Sequence, residues 1–182
     1  MQRAMRRKKQ QLDDDATVQI MKEGSFGVLA LAGTDGDPYA VPLNYVYVDE
    51  SLDPSWVGPS IYFHVAKDGH KLDIIEQNPR ASFCVVAEHE VIPDRFATDY
   101  RSAIAFGILE LVEHDIAHDA LYALGDKYNP GAVDAIEHEI ASDGPRCFVL
   151  ELRIETLTGK RSSISAALSN SGDPIREALN DD

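Results

Sequence analysis

Phe26-Gly27-Val28-Leu29-Ala30-Leu31-Ala32-Gly33-Thr34-Asp35-Gly36-Asp37-Pro38-Tyr39-Ala40-Val41-Pro42-Leu43-Asn44-Tyr45-Val46-Tyr47-Val48 sets two apolar runs around an Asp-Gly turn. Asp-Gly tolerates the left-handed backbone of a tight reversal, so residues 26–32 and 39–48 read as a β-hairpin. A hairpin joins antiparallel strands, which excludes the all-parallel sheet of a βαβ chain for this segment. Pro42 has no N–H to give a ladder, so its strand belongs at a sheet edge or in an irregular position where backbone groups stay free for a ligand.

The pattern continues outward from this hairpin. Residues 61–65, 81–87 and 102–112 read as strands. At 148–155, Phe148, Leu150, Leu152 and Ile154 alternate with Val149, Glu151, Arg153 and Glu155, one face core and the other mostly wet. Helices are expected over 68–77, ended by Asn78-Pro79, and over 115–127 and 131–141, separated at Asn129-Pro130. Upstream, Asp13-Asp14-Asp15-Ala16 starts a helix whose Val18, Ile20 and Met21 face inward, with Gly24 closing it in left-handed geometry. Residues 49–60 form a turn-rich loop around Trp56, and 88–99 read as irregular. Six strands with helices inserted between the later pairs make a mainly β fold, a small antiparallel barrel with helices at its rim. The expected organisation is a basic arm over 1–12, one barrel domain over 13–161 and a polar tail over 162–182, with a weak helical pattern near 174–179.

Composition narrows the class. The chain has 182 residues, 44% hydrophobic and 26% charged, ordinary values for one globular core. Its apolar runs are strand-sized, so no membrane span is expected, and no apolar core follows the basic N-terminus to make a secretory signal. Cys84 and Cys147 lie inside apolar runs and read as buried thiols of a cytoplasmic protein. Seventeen Lys and Arg against 31 Asp and Glu give a net charge of −14. Five bases (Arg3, Arg6, Arg7, Lys8, Lys9) crowd the N-terminus, leaving twelve bases against 31 acids elsewhere, a net −19. Such a body repels nucleic acid and anionic membranes. The basic arm reads as a solvated tail.

Most familiar chemistry is absent. There is no phosphate-cradling P-loop, no Gly-x-Gly-x-x-Gly and no Gly-x-Ser-x-Gly. His114 and His118 have a spacing found in metal sites but no third ligand in motif position, and read as an exposed helix end; His89 and His138 read as surface residues. No metal is expected. The informative stretch is Tyr62-Phe63-His64-Val65-Ala66-Lys67-Asp68-Gly69-His70-Lys71, where a strand ends and a helix opens. That junction offers free N–H groups, a positive dipole end, and Lys67 and Lys71 one turn apart. Two readings stand: a bound phosphate monoester, or two solvated helix lysines. Tyr100-Arg101-Ser102 offers a guanidinium and hydroxyls to an anion, or is an ordinary turn.

In this order the segments resemble the flavin-binding split barrels related to pyridoxamine 5′-phosphate oxidase, in the branch containing nitroimidazole-resistance proteins. The carriers are Met5-Arg6-Arg7-Lys8, Tyr39-Ala40-Val41-Pro42-Leu43-Asn44-Tyr45, Ile61-Tyr62-Phe63-His64, and Ala66-Lys67-Asp68-Gly69-His70-Lys71. Asn78-Pro79-Arg80-Ala81-Ser82-Phe83, the run from Tyr100-Arg101-Ser102 to Gly107, and Leu157-Thr158-Gly159-Lys160-Arg161 complete the set.

The resemblance implies a six-stranded FMN-binding split barrel that works as a homodimer, with FMN in a cleft between subunits. Val41, Pro42, Leu43 and Asn44 would line the flavin ring. His64, Ala66 and Lys67 would contact the flavin and its ribityl chain, Lys71 would reach the phosphate, and Tyr100, Arg101 and Ser102 would add contacts near it. The implied function is an FMN-dependent oxidoreductase acting on a small-molecule substrate, with NAD(P)H as electron donor and His64 as the candidate polar group at the reacting face. Alternatives are a non-catalytic flavin- or haem-binding module and pyridoxamine 5′-phosphate oxidation itself. Three features depart from the family pattern. Val65 stands where Gly or Ser is usual, His70 replaces Arg or Lys, and the 49–60 loop is longer.

Overall fold

Asp13 accepts a hydrogen bond from the Ala16 N–H at 2.8 Å and opens α1 (Asp14–Glu23). A carboxylate cap of this kind stabilises a helix by about 1 kcal/mol. Ile20 and Met21 are fully buried. Gly24 is extended (φ −61°, ψ 135°), not left-handed as the sequence suggested. What requires glycine there is space: a Cβ would lie 2.4 Å from Val85 Cγ1 and 2.7 Å from Tyr45 Oη. The computed structural model describes residues 5–33, 36–53 and 55–164; the expected tail from 165 onward and Thr34-Asp35 of the hairpin turn lie outside them. The described part of that turn fits the expectation, with Gly36 at φ +90° and Gly33 N–H bonded to Asp37 O at 3.1 Å.

The strands are β1 (Gly27–Ala32), β2 (Pro38–Leu43), β3 (Val46–Val48), β4 (Ser60–Ala66), β5 (Arg80–Ile92), β6 (Ala97–Val112) and β7 (Cys147–Arg161). They form one antiparallel sheet in the order β2-β1-β5-β6-β7-β4-β3. The sequence reading has six strands and the described residues form seven, because the run 39–48 breaks at Asn44-Tyr45. Its first half pairs with β1, Pro42 opposite Val28; its second pairs with β4, Val46 opposite Tyr62. The two halves are therefore opposite edges of the sheet, yet Leu43 and Val46 are at most about 11 Å apart along the chain. The edges must lie side by side, so the sheet is rolled into a barrel. No ladder joins β2 to β3 among the described residues, and the barrel is split along that seam.

Alternation sends Leu29, Leu31, Phe63, Phe83, Val85, Leu150 and Leu152 into the barrel with Ile20 and Met21 of α1 and Ile74 and Ile75 of α2 (His70–Gln77). Phe83 packs against Tyr45 and Phe63 with ring centroids 4.8 and 4.9 Å away. The sheet turns sharply at Gly107, where β6 and β7 slip register and a Cβ would fall 1.9 Å from Arg153 O. Outside the barrel, α3 (His114–Tyr128) covers Val46, Val48, Tyr62 and Val149 with Ala120 and Leu124, and α4 (Val133–Asp143) packs on α3. Trp56 pins the 49–60 loop to this cluster through Tyr62, 5.2 Å between centroids. Covered on both faces, β4 is buried from Ser60 to Phe63.

Two segments differ from the sequence reading. Residues 88–92 and 97–101 continue β5 and β6 as a two-stranded arm beyond a register shift at Val86/Glu88. The polar residues hid this because neither face of the arm is core. The basic arm is docked rather than solvated from Gln10 onward: Gln10 is buried, Gln11 bridges to Lys160, and Leu12 N–H bonds Gly159 O at 3.0 Å. Among the described residues, no helix is long and apolar enough to cross a membrane.

Candidate functional site

Alternation along β4 turns Ile61, Phe63 and Val65 into the barrel and Tyr62 and His64 outward. Tyr62 lies under α3, but His64 lies past that cover and is exposed. It opens on a cavity of about 650 Å³ between the barrel wall and the α3–α4 hairpin. Asn44, at the break between β2 and β3, lines the same cavity, as does Cys147 at the start of β7. The helices supply an aliphatic wall of Leu121, Leu124, Ile136 and Ile140. Gly125 lets α3 and α4 approach closely, since a Cβ there would come within 2.8 Å of Ile136 Cγ2. At the rim, Arg146 is paired with Asp143 at 2.7 Å. Burial pushes the Cys147 thiol pKa up, with Lys67 pulling the other way.

The chain leaves this end of β4 through Ala66, opposite Cys147 on β7. Lys67 lies with Nζ 5.2 Å from the Phe148 ring centroid. Gly69 then takes φ +133°, a conformation open only to glycine without strain, and caps α2 with no side-chain bond. Leu72 N–H bonds Gly69 O at 2.8 Å, and Lys71 lies half-buried in the first turn. His70 contacts the edge strand, its ring 5.2 Å from Tyr39 at 89°. Beside the seam, Val41 and Leu43 pack on the barrel core while Pro42 is exposed. Pro42 sits on the edge strand that its missing N–H requires.

The seam is held by residues that the sequence reading did not single out. Tyr45 N–H donates to Tyr128 Oη at 3.0 Å, Tyr128 Oη donates to Ser25 O, and Tyr45 Oη donates to Met21 O at 2.8 Å. Burial raises the Tyr45 pKa, and Tyr128 adds to the effect. Lys127 Nζ sits 3.7 Å from the Tyr45 ring centroid, buried and with no hydrogen-bond partner. Desolvation pulls its pKa down to about 8. The only signal for these roles in the sequence is the amphipathic pattern of residues 115–141, which does not say what the helices cover.

The expected site residues thus fall into two groups. Asn44 and His64 share the cavity, and Val41, Pro42, Leu43, Ala66, Lys67 and Lys71 lie on the segments around it. Tyr100, Arg101 and Ser102 do not join them. They lie at the far end of β6, Arg101 opposite Arg161, while His64 is opposite Val149. Twelve positions of β7 separate the two, roughly 40 Å of strand. Even bent into a half circle, that contour leaves its ends about 25 Å apart. Arg101 is paired with Glu23 at 3.7 Å. His118 hydrogen-bonds Glu137 at 3.2 Å, tying α3 to α4.

The comparisons agree with this architecture. A 5-nitroimidazole antibiotic resistance candidate from Bacteroides thetaiotaomicron superposes with a TM-score of 0.63 at 18% identity, covering 83% of this chain and 86% of its own. A FAD-binding protein from Mesorhizobium loti gives 0.57 at 22% identity, covering 84% and 96%. A FAD- and haem-binding protein from Mycobacterium smegmatis gives 0.66 at 21%, covering 90% and 80%. No curated protein matches the sequence. Residues 13–161 match the family described as pyridoxamine 5′-phosphate oxidase, with the split barrel as its frame, and the chain belongs to that family.

Proposed function

We propose that the protein is an FMN-dependent oxidoreductase that works as a homodimer and reduces a small molecule, taking electrons from a donor such as NAD(P)H. The observation that carries this is a strand-to-helix junction that begins just past His64, beside a cavity with one aliphatic wall. The junction brings Lys67, Lys71 and the uncapped N-terminus of α2 to one end of β4, a setting suited to a phosphate monoester. A Cβ at Gly69 would meet nothing within 4 Å, so the approach is open. The seam residues Val41 to Asn44 offer a half-buried apolar surface and free edge backbone to a flat ring, and His64 offers a polar contact beside it. The flavin would supply the redox chemistry; the protein would hold and orient it and keep water from its face. The FAD-binding and the FAD- and haem-binding proteins that share the fold support a ring-bearing redox cofactor.

The separation of the two groups supports the dimer. With the His64 end of β4 and Arg101 about 25 Å apart by that strand contour, one phosphate would not be shared by the two groups of the same chain, whereas a second copy would bring its own Tyr100 to Ser102 to the first copy's junction. The outward row Pro42, Val28, Cys84 and Ile104 runs apolar across four strands and suits burial against that copy.

The test is the visible spectrum of the purified protein and of the supernatant after heat release, with light scattering for the dimer. Flavin bands and released FMN are expected, as is a marked loss of FMN affinity, with riboflavin binding spared, in Lys71→Ala and in Arg101→Ala. A colourless protein that takes up no FMN overturns the oxidoreductase; a Soret band instead puts haem in its place. A flavin that neither NADH nor NADPH reduces favours a binding module without turnover.

A further inference from the structure

A second pocket, of about 390 Å³, lies between the N-terminal segment and β7 and is lined by Met5, Arg6, Arg7 and Lys160. The segment is anchored just downstream by the Gln11–Lys160 bridge, so the guanidiniums are tethered to the strand that carries the lysine. Lys160 lies opposite Ser102, with Nζ 5.4 Å from the Tyr100 ring. Among the described residues, no carboxylate pairs with Arg6, Arg7 or Lys160. In a chain with 31 acids and a net charge of −14, three cations face one concavity without a carboxylate partner, and the Tyr100 ring and solvent offset only part of their mutual repulsion.

We propose that this pocket binds the phosphate of an organic phosphate, a monoester or diphosphate, through residues distinct from those of the α2 junction of the same chain. Each guanidinium donates a fork of two N–H bonds to phosphate oxygens, the lysine adds a point charge, and the Tyr100 and Ser102 hydroxyls lie on the adjoining strand. Two sources share this chemistry: the flavin phosphate presented by a second copy, and the phosphates of a nicotinamide donor. Phosphate binding stands without the flavin reading; the choice of source rests on it.

The test begins with inorganic pyrophosphate, titrated into the full chain by calorimetry and followed by thermal shift against chloride of equal ionic strength. Pyrophosphate is expected to bind and to raise Tm beyond chloride. Affinity should fall about tenfold in Arg6→Gln/Arg7→Gln and in Lys160→Gln, and survive in Lys71→Ala. Without anion, both variants should melt no lower than the parent, because removing unpaired like charges relieves repulsion. A pyrophosphate effect no larger than chloride's, or one lost in Lys71→Ala and kept in the two pocket variants, overturns the site. If Arg6→Gln/Arg7→Gln abolishes the preference for FMN over riboflavin, the flavin phosphate is the occupant; if it abolishes a preference for NADPH over NADH, the donor is. Loss of neither overturns the assignment to an organic phosphate of the redox reaction.

Discussion

The backbone N–H of Tyr45 donates to the phenolic oxygen of Tyr128 at 3.0 Å, so a side chain from α3 supplies the acceptor at the point where the barrel wall breaks. Among the described residues no strand ladder joins the two edges at the seam, so Tyr45 has no ladder partner there. Tyr128→Phe leaves that N–H unmet and should cost about 1–3 kcal/mol. Urea unfolding measures it, and unchanged stability would remove Tyr128 as the clamp of the seam. Because Tyr128 also lines the cavity, ligand affinity should weaken along with stability.

Lys127 gives a pH signature. Burial holds its folded pKa near 8, below the unfolded value of about 10.4. Between these values the unfolded chain binds more protons, so this group makes stability rise with pH. Its cost is fully present below pH 8 and fades towards pH 10.4, offset in part by the Tyr45 ring. Lys127→Met should therefore be more stable than the parent at pH 7, by a margin that shrinks by pH 10. A constant margin across that range would show that the lysine stays charged.

Gly107 admits no side chain. A Cβ would overlap Arg153 O, a backbone atom that cannot swing away. Gly107→Ala should cost several kcal/mol or prevent folding, because β6 and β7 must separate at the bend. Circular dichroism with thermal melting reads this directly, and a fully stable variant would mean the strands can slide apart there.

His118 works in the opposite sense from Lys127. Its hydrogen bond to Glu137, with help from Asp119, raises its pKa above the usual 6.5. The stabilisation is fully present below that value and is lost as pH rises through the raised folded pKa. The pair is exposed, so it is worth under about 1 kcal/mol. His118→Gln should flatten the stability profile just above pH 6.5 and leave higher pH unchanged.

Much of this protein is readable locally. Asp13 caps α1 because a carboxylate meets free N–H groups in any context, and Phe148 to Ile154 form a half-buried strand because alternation has period two. The Asp-Gly turn, the helix after Asp68-Gly69, and the association of Pro42 with an edge likewise follow from backbone constraints that residues carry with them. Spacing also brought His64, Lys67 and Lys71 to one junction, since a strand end and the following helix start are neighbours in the chain.

What local chemistry did not contain is which strands meet. Asn44-Tyr45 reads as mid-strand, because apolar residues flank it on both sides; only the pairing of β2 with β1 and of β3 with β4 turns it into the seam. Residues 88–99 read as irregular because a two-stranded arm with no core face has no hydrophobic period to show. Arg6 and Arg7 read as a free basic tail until Leu12 and Gln11 dock on β7 and set them beside Lys160. The twelve positions of β7 between His64 and Arg101 are likewise a matter of register. Hydrophobic periodicity determines which face of each element is buried, whereas long-range strand pairing alone decided which buried faces, breaks and charges came to share a site.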